Sequence, residues 1–138
     1  MRRFAALLAV VFLAACSSEI EQSTRPNEVS GRYQLLTFGG RTLPAVVSTD
    51  SSGVLEMISA ELVIGSDQSW TETENFRLTK NGKVTAATTG SSGSWVFVRE
   101  YAHMVFNDKL LQYQFTGTVA GGTVRLELWN GNSLVYTR

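Results

Sequence analysis

Ser69-Trp70-Thr71-Glu72-Thr73-Glu74-Asn75-Phe76-Arg77-Leu78-Thr79-Lys80-Asn81-Gly82-Lys83-Val84 is the stretch that decides the fold. Large side chains recur at every second position, the period of a β-strand. Trp70, Glu72, Glu74, Phe76 and Leu78 therefore share one face of a strand running Ser69 to Thr79. Asn81-Gly82 then ends it, and both residues tolerate the positive φ of a type I′ turn, so the chain folds back into a second strand from Lys83 to about Thr88.

Working outward, the same alternation continues on both sides, with Gly, Asn, Asp and Ser clustering at roughly ten-residue intervals, as in a sandwich or barrel. On the N-terminal side, Arg32 to Phe38 ends at Gly39-Gly40. Val54 to Ile64 follows, with Val54, Ile58, Ala60, Leu62 and Ile64 on an apolar face, and Gly65-Ser66-Asp67-Gln68 turns the chain. The loop from Thr42 to Gly53 is the longest irregular stretch and is a candidate cap for one end.

On the C-terminal side, Gly90-Ser91-Ser92-Gly93 reads as a flexible break. Short strands are expected at Trp95 to Val98 and Tyr101 to Phe106, then a long one from Leu110 to Val119 with Leu111, Tyr113, Phe115 and Val119 on one side. Gly121-Gly122 leads to Val124 through Leu128, and Asn130-Gly131-Asn132 to Leu134 through Thr137. About eight strands joined in order by short connections favour an all-β, small antiparallel up-and-down barrel, because closure removes exposed edges. An open sandwich is the alternative.

The N-terminus is different. Arg2 and Arg3 precede a run without a polar side chain from Phe4 to Ala15, the pattern of a secretory leader. A spanning helix needs roughly 20 apolar residues, more than this run supplies. Leu13-Ala14-Ala15-Cys16 resembles the lipobox of bacterial lipoproteins, which implies cleavage before Cys16 and a diacylglycerol on its sulfur. Cys16 is the only cysteine, and a free thiol is unusual in an oxidising compartment. Serine after that cysteine, here Ser17, implies by the same resemblance an outer-membrane destination in a diderm host. The expected organisation is a leader at 1–15, a lipidated Cys16 with a flexible tether at 16–30, and a barrel domain at 31–138.

Loss of Arg2 and Arg3 leaves ten basic against twelve acidic side chains. Nucleic-acid binding thus has no electrostatic support. The mature chain is long enough to bury a core without disulfides or metal.

Gly31-Arg32-Tyr33-Gln34-Leu35, with Gly40-Arg41-Thr42-Leu43-Pro44 behind it, resembles the opening of small bacterial lipocalin-like domains, many of them lipoproteins. Gly93-Ser94-Trp95, Phe115-Thr116-Gly117-Thr118-Val119 and Leu134-Val135-Tyr136 fit the same short calycin-type barrel. In lipocalins the opening motif is G-x-W, whose tryptophan seals one end of the barrel beneath a basic residue from the last strand. The resemblance puts Tyr33 in the tryptophan's place and Arg138 in that of its basic partner.

Residues fit for chemistry are few. His103 is the only histidine, which leaves no multi-histidine metal site or duplicated triad, and no G-x-S-x-G elbow appears. No cofactor or metal is expected, nor an enzyme. Glu72 and Glu74 stand two apart on one strand face, about 6.6 Å at Cα, a spacing that suits paired acids or a cationic ligand. A bulge near Asn75, or a strand running past the rim, would instead turn both to water.

Trp70, Trp95, Trp129, Phe97, Phe106, Tyr113 and Phe115 either fill the barrel or line a cavity, while Met57 and Met104 read as core filler. Two functions stay open. In the first, a tethered barrel holds a small, partly apolar ligand against Leu62, Trp70, Glu72, Glu74, Tyr113 and Phe115, in a cavity of several hundred cubic ångströms. In the second, a solid barrel presents loops and an apolar rim patch to an envelope protein.

Overall fold

The computed structural model describes residues 26–98 and 103–138. The leader, Cys16, the tether as far as residue 25, and the first two residues of the strand expected from Tyr101 lie outside the described residues. A four-residue helix, α1 (Pro26–Val29), precedes ten strands: β1 (Gly31–Phe38), β2 (Arg41–Thr42), β3 (Ala45–Asp50), β4 (Gly53–Ile64), β5 (Ser69–Lys80), β6 (Lys83–Val98), β7 (His103–Asp108), β8 (Gln114–Ala120), β9 (Thr123–Glu127) and β10 (Ser133–Thr137).

Eight of these close a barrel. β4 to β10 pair with their sequence neighbours, β10 pairs with β1, and β1 closes the ring on β4 through Gly31–Ile64 to Gln34–Glu61, every pairing antiparallel. This is the up-and-down barrel expected from the alternation. The short β2 pairs with the end of β1, and β3 extends the sheet beyond β4. Asn81 (φ 50) and Gly82 (φ 76) make the predicted tight turn between β5 and β6.

One end is closed by α1. Val29 is 2 % exposed, and its carbonyl accepts a 2.7 Å hydrogen bond from the Tyr33 hydroxyl. The Arg138 guanidinium lies 5.4 Å from the Tyr33 ring centroid and donates to the carbonyls of Ser30 (3.0 Å) and Glu28 (3.2 Å). Tyr33 and Arg138 thus make the ring-and-cation seal that the resemblance implied. The stretch expected to be tether up to residue 30 does not stay loose to its end, because Val29 is an apolar side chain with a core to enter. Arg138→Ala should cost about 1–2 kcal/mol, from the lost cation–π contact and two charge-assisted hydrogen bonds. Thermal unfolding measures the loss, and limited proteolysis should show faster cleavage near α1.

Four local expectations need correction. The 42–53 loop contains β3, paired from Ala45–Met57 to Asp50–Gly53. The expected break at Gly90–Gly93 is the middle of a continuous 16-residue β6, because each residue there has a partner on β5. The bulge considered near Asn75 sits instead on the facing strand: β4 shifts register between Met57 and Ser59, opposite Phe76 and Asn75. The extra residue reverses the alternation, so Met57 rather than Ile58 is buried. The stretch from Leu110 to Tyr113 is a connection and not strand, which leaves Leu111 63 % exposed.

Candidate functional site

The inward residues of β5 climb the barrel wall from the closed end: Trp70, Glu72, Glu74, Phe76, Leu78. Trp70 is at the bottom. Its indole N–H is shared between the carbonyls of Ser94 (3.2 Å) and Asn107 (3.3 Å). Its ring meets Phe106 and Phe115 edge-on, at 6.0 and 5.4 Å, and those two are stacked at 5.1 Å. Leu62, Met104, Leu126 and Tyr136 are buried in the same cluster. Leu62, Trp70 and Phe115, expected as cavity walls, therefore spend their surface on core packing in the deep half of the barrel.

Polar groups begin one step higher. Glu72 is 8 % exposed and accepts a hydrogen bond from the Tyr136 hydroxyl, which reaches it from β10 across the interior. Neither a bulge nor the rim turns this acid to water. Glu74, next along, is half-buried and accepts from the Thr89 hydroxyl at 3.1 Å. Tyr113 packs at 5.7 Å on Phe115 and roofs the aromatic cluster. Phe76 and Leu128 are half-buried against the core. Four of the six expected site residues thus form one continuous wall: Trp70 and Phe115 below, Tyr113 beside them, Glu72 above.

The electrostatics are one-sided. Burial pushes the Glu72 carboxyl up to about 7, with the neighbouring Glu74 and then Asp108 adding to the rise, while the Tyr136 hydroxyl holds it back. Burial raises Glu74 as well. The Tyr113 phenol is raised by burial and by the charges of Asp108, Glu72 and Glu74, and Tyr136 is raised chiefly by burial. Among the described residues the ion pairs are Arg32–Glu61, Arg77–Glu56 and Arg125–Glu127. None involves Glu72, Glu74 or Asp108. A buried carboxylate without a cation costs several kcal/mol of desolvation that only a partner offsets, and such groups cluster at functional sites. What the arrangement offers chemically is an acceptor-rich stretch of interior wall suited to a positive or proton-donating group. Among the described residues no group of His, Cys, Asp and Glu could hold a metal ion.

Two residues of this region carry no sequence signal for their role. Tyr136 looks like one more alternating apolar residue of the last strand, and only barrel closure brings it to Glu72. Asp108 reads as a turn residue. It is buried, and its carboxylate accepts from the N–H groups of Leu110 (2.8 Å) and Leu111 (2.7 Å). An Asp or Asn before an apolar pair is the available hint. This clamp holds Leu110, 79 % exposed, and Leu111 out on the β7–β8 connection. Trp129, a proposed cavity aromatic, is 85 % exposed on the β9–β10 connection. Both connections lie at the open end, opposite α1. His103 is half-buried on β7, opposite Val98.

Fold and site together define a small, closed eight-stranded antiparallel barrel consistent with lipocalin-like architecture, with an acidic interior wall toward its open end. No protein-family model and no curated protein matches the chain.

Proposed function

We propose that the chain is a lipid-anchored binding module of the bacterial cell envelope, whose open end takes a small, partly apolar molecule bearing a cationic group. The observation that carries this is Glu72: a buried carboxyl, flanked by Glu74 and Asp108, with Tyr136 as its hydrogen-bond donor and, among the described residues, no basic side chain paired to it. Half-buried Phe76, Leu128 and Tyr113 supply apolar contact, and Tyr113 a π-face for a cation. The packed deep half restricts the ligand to the upper mouth. The leader and lipobox support the anchor, and on this reading the anchored segment enters the barrel at α1, so that the closed end faces the membrane and the mouth faces away from it.

Titration of the full chain with hexylammonium and with hexanoate tests the proposal. Only the amine should bind. A cation that needs ionised Glu72 should bind about tenfold or more tightly at pH 8 than at pH 5.5, because a carboxyl titrating near 7 is mostly protonated at the lower pH. Glu72→Gln should remove that pH dependence and weaken binding at pH 8 about tenfold, the worth of a charge-assisted contact.

A second reading rests on Leu110, Leu111 and Trp129, exposed on well-bonded loops at the same end. Rigid loops with apolar tips suit a protein partner, and Trp is a frequent anchor. Equal and negligible binding of both probes at every pH would discard the ligand site and leave this one.

A further inference from the structure

β6 outlasts its neighbour. Its pairing with β7 begins at Gly93–Asp108, and the Lys109 N–H still reaches the Ser92 carbonyl at 2.9 Å. From Ser91 back to Lys83, among the described residues, β6 is paired with β5 alone. The phase of the free backbone groups follows from the hairpin. In a two-residue turn the closing pair, here Lys80 and Lys83, exchanges both hydrogen bonds, and residues then alternate in direction. Odd-numbered residues of this stretch therefore bond to β5, and even-numbered ones point away, in agreement with the outward Ser92 carbonyl. Val84, Ala86, Thr88 and Gly90 each turn one N–H and one C=O to an open edge.

Open edges are normally guarded by charges, proline or bulges. Of the edge strands, β2 has only two residues, and β3 has such devices: six residues, a register shift between Val46 and Ser48, and Asp50 at its end. β6 has none of them from Val84 to Ser94, where the sequence is uncharged and proline-free and the pairing with β5 is unbroken. Its residues from 83 to 90 are all exposed.

We propose that this edge pairs with the same edge of a second copy, β6 against β6 and antiparallel, about a twofold axis at Ala87. In that register Val84 faces Gly90 of the second copy and Ala86 faces its Thr88. All four outward residues of each strand are then used, and no backbone group of the stretch is left over. Lys83, the one charge at the edge, falls opposite Ser91 and stays far from its twin. The occupant is a second copy because the edge is its own complement in charge, length and hydrogen-bond phase. The contact lies on the protruding sheet of β3 to β6 and does not depend on the ligand proposal.

Oxidative cross-linking of the full chain in membranes or detergent is the test, with single cysteines placed by the register. The twofold puts Ala87 opposite its own counterpart as a non-hydrogen-bonded pair, about 4.5 Å apart at Cα, inside the range a disulfide spans. Ala87→Cys should therefore form dimer at least about tenfold faster than Val84→Cys, whose counterpart lies about six residues away along the strand, roughly 20 Å. Cys16 is common to both variants and cancels. Adding Ala86→Lys to the Ala87→Cys chain should abolish the dimer, and mixing it with a chain carrying Thr88→Glu and Ala87→Cys should restore it, since positions 86 and 88 face each other. Equal cross-linking at 84 and 87, none at 87, or a cross-link from 87 to a different protein would each overturn the proposal.

Discussion

Glu72→Gln should make the protein more stable at pH 8 by about 3 kcal/mol and leave it unchanged near pH 4. The carboxyl moves from an ordinary 4.5 to about 7 on folding. Between those values the folded state holds the proton and the unfolded state does not, so the stability of the parent chain falls as pH rises through this window. Below about 4.5 both states are protonated and nothing is lost. Above about 7 the full penalty is present, about 3 kcal/mol from a shift of that size. Glutamine keeps an oxygen for the Tyr136 hydroxyl and never ionises, so its stability should be flat across the window as far as this site is concerned. Urea unfolding of both chains at several pH values measures the difference directly. Parallel curves would show that Glu72 is ordinary in the folded state and would remove the basis for a cation at the mouth. The expected divergence of the two curves at high pH would make Glu72 a group kept at a cost in stability, as expected of a binding residue rather than a packing one.

Gly93→Ala should destabilise the barrel by about 3 kcal/mol or more, whereas Gly90→Ala, three residues earlier on the same strand, should stay within about 0.5 kcal/mol. A Cβ at position 93 would overlap the Asn107 carbonyl oxygen and come within 2.9 Å of the Trp70 indole nitrogen. Both are held in place, since Asn107 is paired on β7 and the indole bonds to the Ser94 and Asn107 carbonyls. Relief would require separating β6 from β7 or expelling the largest core residue. At Gly90 a Cβ meets only the Glu72 carbonyl oxygen, at 3.5 Å, an ordinary contact. Thermal melts of the two variants decide the point, and equal losses would mean that Gly93 is not a close-approach site. The two glycines read alike in sequence, as the ends of a flexible Gly-Ser-Ser-Gly segment. Their difference comes from β7, which passes one and not the other, and from the Trp70 indole held beside it.

That contrast marks the boundary between what was legible and what was not. Period-two alternation, the Asn81-Gly82 turn and the glycine pairs are local, and they sufficed for an all-β chain, for most strand positions and for an up-and-down barrel. The face shared by Trp70, Glu72 and Glu74 was legible for the same reason: side-chain direction along a strand is set by the pleat. What surrounds that face was not. Whether Glu72 meets water or Tyr136 depends on the Tyr136 side chain reaching across the interior from β10, 64 residues away. Whether Leu62 and Phe115 line a cavity or fill one depends on how many other large side chains the closed ring admits. The bulge that exchanges Ile58 for Met57, the strand inside the 42–53 loop and the exposure of Trp129 have the same origin. Each is settled by hydrogen-bond pairing with other strands and by packing volume, quantities that local alternation does not contain.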